Sequence, residues 1–200
     1  MASSNVVKEI PTRREEILAI AAHVFAEKGI MNATVRDIGQ EAGILSGSLY
    51  HHFESKDQMI EEVLRPVLTS LSERYRQIAA EVDDPAEIVR QVILDSISEA
   101  AARPDEARIF RNDAHHLREI PRLAFIDEQR RELRALVTSA LRRGIENGTF
   151  RDDLDSDFVF TAIFDMVLGN IRWFRPLGSA EPGHVGEQLA SLVLDGLKHD

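Results

Sequence analysis

Apolar residues recur at helical spacing from one end of this 200-residue chain to the other, and the period-two alternation that builds strands is missing. The clearest case follows Ser55, where apolar side chains at 60, 63, 64, 67, 68 and 71 fall on one stripe of a helix. Pro66 stands inside that stripe and predicts a kink or a local break, because proline has no N–H and its ring crowds the preceding turn. Such a chain can bury its apolar stripes only helix against helix, so the expected fold is all-α.

The helix boundaries are also written in the sequence. Thr12 opens "TRRE", a capping box closed by Glu15, with Ile17, Ala21 and Phe25 in one stripe behind it and Gly29 as the stop. Thr34 opens a second box-like start, "TVRD", whose helix runs through Ile38 to Ala42 and ends at Gly43; Ser55 to Gln58 is a third. Pro85 suits the first position of a helix carrying Ile88, Val89, Val92, Ile93 and Ile97 on one face. Another helix starts at 104 and ends at Pro121. A long one over 122–147 turns Leu133, Leu136, Val137, Ala140, Leu141 and Ile145 inward. "ENGTFRDDLD" reads as a loop, after which Asp155 or Ser156 caps a helix that is apolar on nearly every side from Phe158 to Leu168 and ends before Pro176. "PLGSAEPG" is a second loop, and the last helix gathers Val185, Leu189, Leu192, Val193 and Leu197. The expectation is about nine helices without repeats: a head over 1–55, with 1–10 a loose arm, and a larger helical domain over 56–200. A helix apolar all round must be covered on all sides, which predicts a two-fold homodimer built on the last two long helices.

Composition narrows the function. There is no cysteine, so disulfides and thiolate metal sites are excluded, in keeping with a reducing, cytoplasmic setting. No signal-peptide core and no membrane-spanning apolar run appears. The net charge is −10, and residues 1–60 hold six Lys/Arg against eight Asp/Glu, so bulk electrostatics do not favour nucleic acid. His51-His52 and His115-His116 point to different helix sides, and neither pair is read as having a carboxylate or third histidine at ligand spacing, so no metal site is expected. No nucleophile elbow, phosphate loop or dinucleotide fingerprint is present, so neither catalytic residues nor a cofactor are expected.

One stretch carries a specific function. In "AGILSGSLYHHFESKDQM", residues 42–59, a helix end, a tight turn at Gly43 and a short second helix over 46–52 make a helix-turn-helix. Ile38, Ala42, Ile44 and Leu49 are placed to pack the two helices, with Phe25 and Phe53 beneath. Ser46, Gly47, Ser48 and His51 then face outward. A small, polar outer face lets a helix enter a DNA major groove, while Tyr50 and Lys56 are placed to hold backbone phosphates.

The run "TVRDIGQEAGILSGSLYHHFESKDQMI" resembles the DNA-binding segment of the TetR family of bacterial repressors, with Thr34, Ala42-Gly43, Leu49-Tyr50, His52-Phe53 and Lys56 at family positions. "GTFRDDLD" resembles the loop that many members carry before their dimerisation helices. The resemblance implies a dimer on a palindromic double-stranded operator. Thr34, Ser48, Tyr50, His52 and Lys56 would hold phosphates, and Arg36, Ser46 and Gly47 would lie over bases. Leu45 and Ser46 depart from the polar residue and lysine common there, which shifts base readout toward Arg36, His51 and DNA shape. It also implies an effector cavity in the larger domain, for which Phe110, Asn112, Asp113, His116, Phe125, Ile126, Met166, Asn170 and Trp173 are the candidate lining. "GILSGSLYHHF" and "RWFRP" are similar to an actinobacterial branch that represses lipid and steroid breakdown genes and senses CoA thioesters. Phe164 and Leu168 stand where that branch is expected to carry Arg and Trp, so the implied effector is a related hydrophobic or acyl-CoA-type molecule. The helix opening at Lys56 is the only covalent link between the halves and would carry the signal. The other reading of the composition is a helical, dimeric protein-interaction module that binds no DNA.

Overall fold

The computed structural model describes residues 11–170 and 181–198. The expected arm over 1–10, the end of the penultimate helix near Pro176, "RWFRP" and Trp173 lie outside the described residues. Within them the chain is all helical. The helices are α1 (Arg13–Lys28), α2 (Val35–Glu41), α3 (Ser46–Leu49), α4 (Lys56–Glu81), α5 (Pro85–Ala102), α6 (Pro104–Glu119), α7 (Ala124–Glu146), α8 (Ser156–Asn170) and α9 (Pro182–Leu197), with a 3-10 turn at Pro121–Leu123.

The starts follow local chemistry. Thr12 and Glu15 close a full capping box on α1, and Thr34 and Asp37 do the same on α2, each satisfying two donors the helix leaves open. At α4 the box is displaced by one residue: Ser55 accepts from the Gln58 amide, but the Gln58 side chain accepts from Glu54 N. Asp155, rather than Ser156, caps α8 by accepting from the amides of Asp157 and Phe158. α4 runs unbroken through Pro66; the proline costs one helical hydrogen bond, and the burial of Val63, Leu64 and Val67 around it holds the helix together. Pro182 and Gly183, assigned to a loop by their sequence, form the first turn of α9.

Two apolar cores result. One gathers α5, α7, α8, α9 and the C-terminal half of α4 around Ile88, Ile93, Ile97, Leu141 and Phe150. The other lies under the helix-turn-helix and contains Ile17, Phe25, Ile38, Leu49, Phe53, Ile60 and Leu64. This second core also takes Ile109 and Leu117 from α6 and Leu123 from the 3-10 turn. α4 is thus the covalent link between the halves, but α6, packed on α1, is a second and purely noncovalent one. α8 is less apolar toward solvent than its sequence suggested. Val159, Phe160, Ile163 and Val167 are buried against the rest of the domain, while Phe158, Thr161 and Asp165 are left outside. Leu192 of α9 is the other large apolar side chain exposed on these two helices.

Candidate nucleic-acid interface and ligand cavity

The head is built around a tight turn. Gly43 adopts φ +66, a conformation glycine enters without a Cβ penalty, and Ile44 N then donates to Gly39 O at 2.9 Å. Ile38 and Leu49 are fully buried between α2 and α3, with Phe25 and Phe53 below them. α3 itself is one turn, Ser46–Leu49, shorter than the 46–52 helix expected; Phe53 N still bonds to Leu49 O, so Tyr50, His51 and His52 continue as a turn. Gly47, Tyr50, His51 and His52 are exposed and Ser46 and Ser48 half-buried, so all six reach solvent. Thr34, also exposed, caps α2. Arg36, in the first turn of α2, is exposed and has no ion pair among the described residues, which leaves its guanidinium available. Asp37 does not compete for it: Lys28, 2.6 Å away, and Thr34 hold the Asp37 carboxyl well below the usual carboxylate range.

Lys56, read from the sequence as a phosphate holder, turns its ammonium onto the head's own backbone in the structure. Its Nζ donates to Ile30 O at 2.7 Å and Ala33 O at 3.1 Å, so it ties the start of α4 to the loop between α1 and α2. Those carbonyls follow α1 and lack helical partners, and a lysine stem from the first turn of α4 is long enough to reach them. In the structure this contact fastens α4 to the head's own loop. Arg14 adds a second tie, pairing with Glu62 of α4 while its guanidinium lies 4.4 Å from the centre of the Phe53 ring.

The larger domain holds a partly open cavity of about 150 Å³ among α4, α5, α6, α7 and α8. Leu68, Leu71, Val92, Leu133, Phe160 and Phe164 make its apolar wall. Polar groups gather on the same wall. The Ser96 hydroxyl donates to Val92 O at 2.6 Å, so across the 2.7 Å contact between them Tyr75 Oη must donate to Ser96 Oγ. Burial pushes the Tyr75 hydroxyl pKa far up, which keeps it a neutral donor. Gln129 Oε1 is buried with no hydrogen-bond partner among the described residues. Glu99 Oε1 lies 2.8 Å from Arg103 Nε, an ion pair without hydrogen-bond alignment. Unmet acceptors inside an apolar cavity are costly unless something occupies it.

Of the residues proposed from sequence to line a cavity, Phe110 and Ile126 do so. Asn112 is exposed and accepts from Arg111. Phe125 is turned toward α4, with the Arg65 guanidinium 3.8 Å from its ring centre. Met166 packs on the large core outside the cavity lining. Asn170 ends α8. Asp113 is buried, but against the end of α1: a Cβ on Gly29 would stand 3.5 Å from its Oδ1. His116 Nδ1 is 3.7 Å from Asp113, and His115 Nε2 is 3.5 Å from Glu119, so carboxylates do stand near both histidines, contrary to the sequence reading. Each is a pair, and no group of three His, Asp or Glu side chains forms a metal set among the described residues. Phe164 and Leu168 both line the cavity, as do Ser72, Tyr75, Ser96, Glu99 and Gln129, which had not been singled out. The signal for them was present: Ser72 and Ser96 interrupt the apolar stripes of α4 and α5.

A helix-turn-helix head carried on a helical domain with an apolar internal cavity is the build of a regulator that reads DNA and senses a small molecule in one chain. The chain belongs to the TetR family. The family pattern described as "Bacterial regulatory proteins, tetR family" matches residues 17–63, and "Tetracyclin repressor-like, C-terminal domain" matches 82–197. It is 40% identical over 186 residues to the HTH-type transcriptional repressor KstR2 of Mycolicibacterium smegmatis, covering 93% of this chain and 91% of that protein. It is 39% identical over 192 residues to KstR2 of Mycobacterium tuberculosis, covering 96% of each. The solved structure of that ketosteroid transcriptional regulator superposes with a TM-score of 0.89 at 38% identity, covering 96% of this chain and 98% of that one. The chain is therefore a transcriptional regulator and not an enzyme; members of its family bind DNA operators and respond to small-molecule effectors as dimers.

Proposed function

We propose that this chain is a cytoplasmic repressor that holds a palindromic operator as a homodimer and is released by a hydrophobic effector, with an acyl-CoA or related lipid-breakdown thioester the leading class. The head, to residue 55, contacts DNA through Thr34, Arg36, Ser46, Gly47, Ser48, Tyr50, His51 and His52; residues 56–200 bind the effector and dimerise. The relationship to KstR2, one of whose structures is described as a ketosteroid regulator, supports a lipid-derived ligand. So does the apolar wall at Phe160, Phe164 and Leu168. The exposed Phe158 and Leu192 support dimerisation through α8 and α9.

One observation carries the coupling: Phe110 and Ile126 line the cavity and also pack against the head's core. A cavity of about 150 Å³ has room for a group the size of one six-membered ring. A larger effector presses on this lining, and Phe110 and Ile126 in it are side chains on which the head rests. The two heads must meet major-groove faces about 34–36 Å apart, so a small shift in each weakens binding to both half-sites. An effector that favours the wrong-spacing state tenfold costs about 1.4 kcal/mol per site.

The test is fluorescence anisotropy on DNA from upstream of the chain's own gene, with a series of acyl- and steroid-derived CoA thioesters. At least one should lower affinity. Ala100→Phe, which fills the cavity from α5, should bind DNA normally and lose the response. Phe110→Ala should bind the same ligand yet release DNA poorly. A wild-type protein indifferent to every thioester removes the effector class, and an Ala100→Phe protein that responds normally removes the cavity.

A further inference from the structure

Leu45 is 81% exposed, the most exposed of the large apolar side chains among the described residues. It is the residue before α3, with extended backbone (φ −67, ψ 138), and no side-chain hydrogen bond caps the helix at this position. Its backbone is nonetheless fixed on both sides. Ile44 is bonded through its amide to Gly39 O, and Ser48 N donates to Leu45 O at 2.9 Å. Gly39 has no room for a side chain: a Cβ there would stand 3.0 Å from Ile44 O and 3.4 Å from Ser46 Cα, so α2 and the start of α3 are in close contact. A leucine held outward on an immobilised backbone, next in sequence to Ser46 and Gly47, belongs to neither apolar core of the described residues. Single exposed leucines are ordinary on protein surfaces, but this one stands at the N-terminal end of the helix whose first residues meet base edges. In the major groove the only apolar feature of a base edge is the thymine C5-methyl.

We infer that Leu45 is a specificity-determining residue that packs on a thymine methyl in each half-site of the operator. The inference rests on α3 being the base-reading helix. It adds an apolar contact to a face otherwise limited to short polar side chains and Arg36. Both half-sites must then carry a thymine at the base step beneath the start of α3, in two-fold related positions. Burying one methyl changes affinity about fourfold, equivalent to about 0.8 kcal/mol, so loss at both half-sites amounts to about fifteenfold.

The experiment begins by selecting sites from a random duplex library with the purified full-length chain. Each thymine in the selected site is then replaced by deoxyuridine, which removes the methyl and nothing else. The expected result is one symmetric pair of positions where deoxyuridine weakens the wild type about fifteenfold. Leu45→Ala should bind the thymine site about as weakly as the wild type binds the deoxyuridine site, and should lose nothing further on deoxyuridine. Leu45→Ala is expected to fold normally, because the side chain touches almost nothing, and its melting temperature checks this. A selected site without symmetric thymines, or equal deoxyuridine losses in wild type and Leu45→Ala, overturns the inference while leaving DNA binding intact. Failure to select any site overturns the DNA-reading role of α3 as well.

Discussion

Replacing Lys56 by methionine separates two roles that a lysine at the start of α4 can play. In the structure its ammonium donates to Ile30 O and Ala33 O and so fastens α4 to the loop between α1 and α2. Methionine keeps an unbranched stem of similar reach and removes both donors. Charge-assisted hydrogen bonds contribute about 1.5–3 kcal/mol each, but water reaches this partly open loop and replaces part of that, so a net loss of about 2 kcal/mol is expected. For a chain of this size that lowers the melting temperature by about 4–8 °C at fixed protein concentration. The second measurement is the dependence of operator affinity on salt. A lysine that neutralises a phosphate contributes about 0.9 to the slope of log affinity against log salt, hence about 1.8 for a dimer. A lysine that shapes the head leaves the slope alone, so the lines for wild type and Lys56→Met should run parallel, displaced toward weaker binding. An unchanged melting temperature, together with a slope reduced by about two, would show that Lys56 works on the DNA and that the carbonyl contacts are incidental.

Other substitutions test other parts of the molecule. Gly144→Ala places a Cβ 2.1 Å from the buried Phe150 ring and should destabilise by about 1–3 kcal/mol in urea unfolding, whereas Gly148→Asn, with open space around it and a conformation asparagine tolerates, should cost much less. Burial raises the Glu106 carboxyl above its ordinary pKa, so its contribution to stability is present below the unfolded pKa and is lost as pH rises through the folded one. Glu106→Gln should therefore raise the melting temperature at pH 7 and make no difference below about pH 4. Phe158→Glu with Leu192→Glu should yield monomers in sedimentation velocity and weaken operator binding; a stable dimer would move the interface off α8 and α9.

How much of this was legible depended on the range of the interactions involved. The capping boxes at Thr12 and Thr34, the turn at Gly43 and the buried Ile38 and Leu49 are products of residues a few places apart, and sequence exposes them directly. The path of Lys56 is not local: its acceptors lie 26 and 23 residues earlier, and nothing in the stretch around it distinguishes a lysine facing DNA from one folded back on a loop. The cavity was legible at Phe110 and Ile126, and across α4 and α5 only as the serines that interrupt their apolar stripes. Tyr75 sits comfortably in the apolar stripe of α4, and its partner Ser96 is 21 residues away. Asp113 drew attention as a polar residue on a buried face, and it is buried, but the seam it occupies is that between α1 and α6. Periodicity tells which face of a helix is covered and leaves open what covers it.

The core beneath the DNA-reading helices is completed by Ile109, Leu117 and Leu123, which are contributed from beyond the long helix that leaves it. A chimera cut at residue 55 would therefore set a transplanted head on a foreign seat, with cavities or overlaps wherever the donor's counterparts to these three side chains differ in size. Interchangeable heads, attractive for building biosensors with new promoters, call for residues 109 to 123, the end of α6 and the 3-10 turn after it, to travel with them.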